Sequence, residues 1–446
     1  MDPAINHLLS LQAVREKAHI VFDLAKQGLL NHFDYHPDRL DAVVEYVVGI
    51  IQRDFGPKNF HSIPPHGRWQ HFDVGNTPRI NNLLTQWDEA GYDAVEKVRS
   101  LVDLFFVSVL LDAGAGDRWK FTEPGTGEVY TRSEGIAVAS LYMFLEGDFA
   151  SDGREGGAKG SVREDVVDGA ALKSITVETL YKGFQIDEEN PLVGAEARVE
   201  ILQRLGQSLL DNQDIFGPSG RPGLLVDYLR RSGRDGDELD YALLWSTLQK
   251  LLIPIWPSDR TKVSGKPVGD AWPLSVLAKH KSPSASASSG EPTETETATI
   301  QPFHKLTQWL AYSLKVPFER LLSTTWANAE LGTGLPEYRN GGLFVDMGVL
   351  TLKPSALEKG LKTSGGELPC FGAGDDEIVE WRAMTVALLD ELHARILASG
   401  KFGDVKLTLP QVLEAGSWKA GREIAAQKRP ETKCSPILNS GDGTLF

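Results

Sequence analysis

The sequence predicts a mainly α-helical fold with a minor β component, an α+β enzyme-like globular fold with a short hairpin and a small sheet. Apolar residues recur mostly at helical spacing, and the helical patterns outnumber the strand patterns. Residues 119–131 read instead as a β-hairpin around the turn sequence PGTG. The 446 residues are enough for two or three domains with ample core.

Helix caps and breakers divide the chain into elements. Asp41 can cap a helix that ends at Gly56-Pro57, and Pro78 opens the next helix at a position where proline is favoured. Further helices are predicted, in chain order, at 3–31, 92–112, 133–147, 194–211, 222–231, 238–252, 302–314, 376–398 and 409–427.

Two stretches of unusual composition divide the chain into regions, but they do not decide how many domains it has. A Gly- and charge-rich stretch at 147–162 is predicted to be a flexible loop, and a Ser/Thr/Pro/Glu-rich stretch is predicted to be a disordered insertion. That insertion marks either a domain boundary or a surface loop of one continuous domain. The resulting regions are 1–278 with a pocket loop at 56–76 and the hairpin at 119–131, the insertion at 279–299, and 300–446 with a motif at 335–354.

Charge, cysteine content and missing signatures narrow the function classes. A net charge of −15 argues against a nucleic-acid partner, which would need a basic face. Only two cysteines, no secretory leader and no apolar run near the ~18 residues of a membrane span predict a cytoplasmic protein without a membrane partner. The chain has no Walker A loop, GxGxxG, GxSxG, HExxH or CxxC sequence, so the commonest nucleotide, esterase and zinc-protease classes are not indicated.

The segment 335–354 (LPEYRNGGLFVDMGVLTLKP) concentrates polar groups in front of an apolar run. Residues 343–350 read as a short buried strand that carries the acid Asp346, and a buried carboxylate is costly unless it is paired or used. Asp346 is therefore a candidate nucleophile, base or cation stabiliser. From spacing alone, a structural ion pair with Arg339 explains it slightly better.

The loop segment PPHGRWQHFDVG holds a second candidate group. His66, His71 and Asp73 are weak candidates for a metal site, because a His–x4–His spacing in a loop matches no strong metal signature. Arg68 and Trp69 suit an anionic, planar ligand through bidentate hydrogen bonds and stacking. A packed aromatic loop with backbone-bonded histidines is an equally good explanation.

Two further groups are weaker candidates. Arg382 opens the helix IVEWRAMTVALLDEL beside Glu380, and the two side chains point to different faces, so one of them can face a site. Trp418 and Arg422 share a helix face in a typical surface arrangement, and a phosphate role for Arg422 is a weak alternative.

At these motifs the chain resembles the uracil catabolism protein four family of fungi and some bacteria. The resemblance covers most of the chain apart from the insertion and the glycine-rich loop. The segments that carry it are IPPHGRWQHFDVG, LLWSTLQKLLIPIWP, LPEYRNGGLFVDMGVLTLKP, IVEWRAMTVALLDEL, EAGSWKAGREIAAQKRP and SGDGTLF.

The resemblance implies a place in pyrimidine degradation through ribosylurea-type intermediates. We expect hydrolysis of the N-glycosidic bond of (phospho)ribosylurea, which releases urea and needs a carboxylate near the developing cation and an acid near the leaving group. The residues expected to be catalytic are Asp346, Glu337 and His71. Those expected to bind substrate are Arg68, Trp69, Asp73, Arg339, Asn340 and Arg382. No cofactor is required by this hypothesis.

Two alternatives stay open. One is a metal-dependent amidohydrolase acting on a ring-opened pyrimidine nucleotide, with zinc or iron on His66, His71 and Asp73. The other is a non-catalytic binding or scaffold protein that docks other uracil-catabolism enzymes through its acidic surface.

Overall fold

The computed structural model describes residues 2–112, 118–151, 165–232, 238–258, 260–280 and 296–440. Residues 281–295 of the predicted insertion and 152–162 of the predicted glycine-rich loop lie outside the described residues, as do the last six residues of the chain.

The mainly helical prediction is confirmed. The helices are α1 (Pro3–Leu8), α2 (Leu11–Lys26), α3 (Leu40–Phe55), α4 (Trp69–Phe72), α5 (Arg79–Glu89), α6 (Ala94–Leu111), α7 (Arg132–Leu145), α8 (Gly169–Ser174), α9 (Val177–Gly183), α10 (Ala195–Asp211), α11 (Gln213–Phe216), α12 (Leu225–Ser232), α13 (Tyr241–Leu252), α14 (Lys305–Leu322), α15 (Tyr338–Asp346), α16 (Pro354–Ser364), α17 (Asp376–Ala398), α18 (Leu409–Val412) and α19 (Trp418–Lys428). A π-helical turn, Leu413–Ser417, joins the last two. No described helix is long and apolar enough to cross a lipid bilayer.

Among the described residues, the strands form only two-stranded sheets. The predicted hairpin is confirmed, with β2 antiparallel to β3 and Phe121 opposite Tyr130. Several other pairs join distant parts of the chain, such as β1 with β10 and β4 with β9. The strands are β1 (Phe33–Tyr35), β2 (Lys120–Thr122), β3 (Val129–Thr131), β4 (Glu238–Asp240), β5 (Lys262–Val263), β6 (Lys266–Pro267), β7 (Ala271–Pro273), β8 (Ile300–Pro302), β9 (Thr325–Ala327), β10 (Leu350–Leu352), β11 (Cys370–Phe371) and β12 (Leu438–Asn439).

The apolar core is built around three long helices. Helices α6 and α14 pack against each other, and α17 packs against α2 and α15. The main buried cluster runs from Leu11 to Ile437, so it takes side chains from both sides of the predicted insertion. Burying a large side chain such as Phe105 contributes roughly 1.5–3 kcal/mol, and α6 buries almost every position after its second turn.

The prediction of a strand at 343–350 is wrong, because the chain there continues α15 to Asp346 and only Leu350–Leu352 is extended. The Glu337 carboxylate caps this helix by accepting the N–H groups of Arg339 and Asn340, at 2.7 and 2.5 Å. Gly341 adds to the helix rather than breaking it, since a Cβ there would collide with Trp381. Close helix packing therefore outweighs the turn signal of the glycine pair.

Three predicted helix boundaries also need correction. The helix predicted over 3–31 is two helices, because the Ser10 side chain caps the start of α2. The helix predicted at 238–252 begins at Tyr241, after the strand β4. The helix predicted at 302–314 starts at Lys305 and continues to Leu322 through Pro317.

Arg382 lies in the second turn of α17 and forms a buried ion pair with Asp270. Its guanidinium donates two hydrogen bonds of 2.8 Å to the carboxylate of Asp270, and both side chains are almost fully buried. Burial is the largest single effect and raises the pKa of Asp270, but the charge and hydrogen bonds of Arg382, together with the hydrogen bonds from Lys305 and Trp272, lower it below its ordinary value. The same carboxylate accepts the backbone N–H of Lys305, so the pair also fixes the start of α14.

We expect Arg382→Ala to destabilise the fold by about 3–5 kcal/mol, because it leaves the Asp270 carboxylate buried and unpaired. Guanidinium chloride unfolding measures this change. Arg395→Ala is the matched control on the same helix, where an exposed pair with Asp41 and Glu391 contributes only about 0–1 kcal/mol. Equal effects of the two substitutions would contradict the structural role of the Arg382 pair.

Candidate functional site

The segment 64–72 lies along one face of α14, and this contact places both of its histidines. The N–H of Arg68 donates to Ser313 Oγ at 3.0 Å, and a Cβ at Gly67 would lie 3.3 Å from Val316. The N–H of His66 donates to the carbonyl of Pro410 at 2.9 Å. The loop is therefore held between α14 and the start of α18.

The Arg68 guanidinium anchors this segment to the end of α6. It is fully buried, donates to Asp112 at 2.6 Å and donates to the hydroxyl and carbonyl oxygens of Ser108. It also lies 3.3 Å from Nδ1 of His71. Its donors are used by protein acceptors, so Arg68 anchors the segment to α6, and the binding of substrate by Arg68 stays a prediction.

Four aromatic rings come together beside this anchor, and we call His66, His71, Trp309 and Trp418 the ring cluster. The centroid of the His66 ring lies 4.5 Å from Trp309 and 6.0 Å from Trp418. The His71 centroid lies 5.5 and 5.7 Å from the same two rings. Each histidine thus contacts both tryptophans, and Trp418 is the partly exposed member.

His66 forms a short hydrogen bond with Glu414. Its Nδ1 lies 2.5 Å from the Glu414 carboxylate, which comes from the π-helical turn before Trp418. Nδ1–H therefore points to the carboxylate, and the Nε2 lone pair has no partner among the described residues. π-Helical turns are frequent at functional sites because they re-aim a side chain by one position.

His71 is held as the opposite tautomer. A guanidinium can only donate, so Nδ1 of His71 accepts from Arg68 and the proton lies on Nε2. That Nε2 is fully occluded and has no hydrogen-bond partner in the described part of the chain. Burial lowers the pKa of His71, and the Arg68 charge lowers it further. The ring is therefore neutral and carries an unused donor, at a cost of about 1–3 kcal/mol.

A second carboxylate lies close to the ring cluster. Glu134, in the first turn of α7, accepts a 2.6 Å hydrogen bond from Arg422. The Arg422 guanidinium lies 4.7 Å above the centroid of the Trp418 ring. The pair thus connects α7 to the partly exposed wall of the cluster.

Lys305 lies on α14 beyond the ring cluster and interacts electrostatically with Glu337, the residue that caps α15. Lys305 is four residues before Trp309, so both side chains lie on one helix face. Burial lowers the pKa of Lys305, while Glu337 and Asp112 oppose the shift. Burial also raises the pKa of Glu337, against the effect of its two N–H hydrogen bonds. The side-chain amine makes no hydrogen bond or ion pair with any other described residue.

Four of the residues predicted to bind substrate contact other parts of the protein, and their binding of substrate stays a prediction. Trp69 is buried beneath Arg320, and the Asp73 carboxylate accepts the N–H of Ile80 at the start of α5. Arg339 donates to the carbonyl of Lys433, and the Asn340 side chain accepts a hydrogen bond from Ser417. The last contact ties the start of α15 to the turn that carries Glu414.

Asp346 lies at the far end of α15 from Glu337, nine residues on and therefore about 13 Å along the helix axis. Its carboxylate accepts two hydrogen bonds from Arg429, at 2.8 and 2.5 Å. The ion pair considered from the sequence exists, but its partner is Arg429 rather than Arg339. The structure does not bring Asp346 to the ring cluster.

The suggested metal ligands do not converge. His66 is engaged by Glu414, the Asp73 carboxylate caps a helix, and no group of three or more His, Cys, Asp or Glu residues within the described ranges could hold a metal ion. Zinc or iron binding by His66, His71 and Asp73 stays a prediction.

Sequence reasoning missed the roles of Glu414, Trp309, Glu134 and Lys305. The spacing of a lysine one helical turn before a tryptophan was the available signal for Lys305 and Trp309. Glu414 gave no such signal, because the π-helical turn that aims it at His66 is not visible in hydrophobic periodicity.

Comparison with known proteins places the chain in a family. A family model described as "Protein of unknown function (DUF1688)" matches residues 7–446. The chain belongs to the DUF1688 family. It is 44% identical over 459 residues to "Uracil catabolism protein 4" of Lachancea kluyveri, with 100% of both chains covered. It is 48% identical over 440 residues to "Protein urg3" of Schizosaccharomyces pombe, with 98% of both covered. The family resemblance drawn from the sequence is confirmed.

We expect Asp346→Asn to destabilise this DUF1688 protein by about 3 kcal/mol, since it removes one partner of a largely buried ion pair. Arg429→Gln should cost a similar amount, and the double variant should cost less than the sum of the two. Guanidinium chloride unfolding of the four proteins measures the coupling. Additive effects would show that the pair does not stabilise the fold.

We expect His71 to stay neutral at pH 6.5, the ordinary pKa of histidine, where an exposed histidine is half protonated. Because its folded pKa lies below its unfolded pKa, the group costs stability as the pH falls through 6.5. Nitrogen-15 NMR of labelled histidine gives the tautomer directly. A protonated His71 ring, or a proton on Nδ1, would contradict the network around Arg68.

Proposed function

We propose that this protein acts in pyrimidine degradation as a hydrolase that cleaves the N-glycosidic bond of a ribosylurea-type substrate and releases urea. The relative named for uracil catabolism supports the pathway. The observation that carries the chemistry is the His66–Glu414 pair, with Nε2 of His66 unengaged beside two tryptophan rings.

In the proposed reaction His66 is the general base. Glu414 holds Nδ1–H and stabilises the positive charge that forms when Nε2 takes a proton from water. The water oxygen forms a bond to the anomeric carbon while the carbon–nitrogen bond breaks and its electron pair goes to the urea nitrogen. The urea nitrogen then takes up one proton. The overall reaction is ribosylurea plus water giving ribose plus urea.

The surrounding groups match the other needs of this step. Cleavage develops positive charge on the ribose, which an ionised carboxylate such as Glu134 stabilises through space. Glu337 is the acid that returns the proton, because burial raises its pKa and favours the protonated form. His71 supplies a neutral N–H for the urea oxygen, which a substrate reaches when the partly exposed Trp418 shifts.

We expect His66→Gln and Glu414→Gln each to lower kcat by about 10²- to 10⁴-fold, the usual contribution of a general base. Release of urea from ribosylurea and from its 5′-phosphate measures turnover. Two controls are matched in residue type: His393→Gln, whose ring bonds a carbonyl oxygen elsewhere, and Glu423→Gln, which pairs with Arg53 on the surface. Circular dichroism shows that each variant is folded.

The same assay separates the alternatives. Failure of the folded wild-type protein to release urea from either substrate contradicts the proposal. Loss of turnover in Asp346→Asn but not in Glu414→Gln would show that the carboxylate chosen from the sequence is the one that acts. Turnover that disappears after chelation and returns with zinc or iron would favour the metal-dependent amidohydrolase.

A further inference from the structure

Arginine charges near the site are already matched by partners within the protein. Arg68 is paired with Asp112 at 2.6 Å, and Arg422 is paired with Glu134 at the same distance. Each guanidinium charge is thus already neutralised by a carboxylate, which weakens its attraction for a substrate phosphate.

Lys305 differs from these arginines. Its side chain is partly buried, and its amine has no hydrogen bond or ion pair to any other described residue. A cation drawn out of water without a partner is unfavourable, and most partly buried cations acquire an anionic partner. Glu337 is the acid with the strongest effect on the pKa of Lys305, but its carboxylate accepts the N–H groups of Arg339 and Asn340. The Asp270 carboxylate is bonded to Arg382 and to the N–H of Lys305.

The local charge balance also favours an anion. At this end of the site the Arg382–Asp270 and Arg68–Asp112 pairs are neutral. Glu337 is the remaining acid beside Lys305 and Arg339, and in the proposed reaction it is protonated and carries no charge. The positive charges of Lys305 and Arg339 are then not matched by an unpaired, ionised acid among the described residues at this end, although the whole protein carries a net charge of −15.

The spacing along α14 suits a phosphorylated pentose. Lys305 and Trp309 are one turn apart on the same face, which is about 5.4 Å along the axis. That separation is comparable with the reach of a pentose from its anomeric carbon to its 5′ oxygen. A sugar whose anomeric carbon lies at His66, against Trp309, can therefore extend its 5′ group toward Lys305.

We propose that Lys305 binds the 5′-phosphate of the substrate, so that the preferred substrate class is the phosphorylated ribosylurea rather than the free riboside. This inference rests on the proposed function for the identity of the sugar. It makes Lys305 a specificity-determining residue, since a charge-assisted hydrogen bond to phosphate separates the two substrates.

Calorimetric titration with ribose 5-phosphate and with ribose tests this without turnover. We expect the wild-type protein to bind ribose 5-phosphate about tenfold or more tightly than ribose, Lys305→Gln to remove that preference, and Lys305→Arg to keep part of it. Lys315→Gln is the matched control on the same helix, because Lys315 already pairs with Glu319, and it should keep the full preference.

Equal affinity of the wild-type protein for the two sugars, no binding of either, or a preference that survives Lys305→Gln would overturn the assignment. Failure of the proposed function looks different. Binding of ribose 5-phosphate through Lys305 without urea release would contradict the hydrolase function but not the phosphate-binding role of Lys305. Equal kcat/KM on ribosylurea and its 5′-phosphate would contradict the phosphate-binding role but not the hydrolase function.

Discussion

The fully buried guanidinium of Arg68 is the constraint on which the candidate site depends. A charge with no exposed surface is tolerated only when acceptors surround it, and here Asp112, Ser108 and His71 provide them. These contacts fix the segment 64–72 against α6 and α14. Both histidines of that segment then have little freedom, and their tautomers follow from the groups that Nδ1 meets.

The two histidines have different tautomers because different groups contact their Nδ1 atoms. His66 has a carboxylate on Nδ1 and therefore presents a lone pair at Nε2, whereas His71 has a guanidinium on Nδ1 and therefore presents a proton. One ring is suited to accept a proton and the other to donate a hydrogen bond. This division of roles, between the same pair of tryptophans, is what makes an acid–base function the best account of the cluster.

Much of the fold could be predicted from periodicity and caps, and some of the site could not. The long apolar helices and the hairpin gave clear patterns, and α17 was predicted with its observed bounds. The helix after Glu337 was not predicted, because the glycine pair in this segment is typical of a turn. In the structure the segment is helical and packs closely on Trp381. The ion-pair partner of Asp346 could not be found from spacing, because Arg429 lies 83 residues away in the chain. Glu414 was not selected as a candidate, because the π-helical turn that directs it toward His66 depends on tertiary contacts that the sequence pattern does not show.

The direct test of the account is a crystal structure of the protein with ribose 5-phosphate and urea bound together. The account predicts density for the sugar and urea at the ring cluster, with the anomeric carbon near Nε2 of His66 and the phosphate on Lys305. Ligand density at the Asp346–Arg429 end of α15, with the ring cluster unchanged, would contradict it.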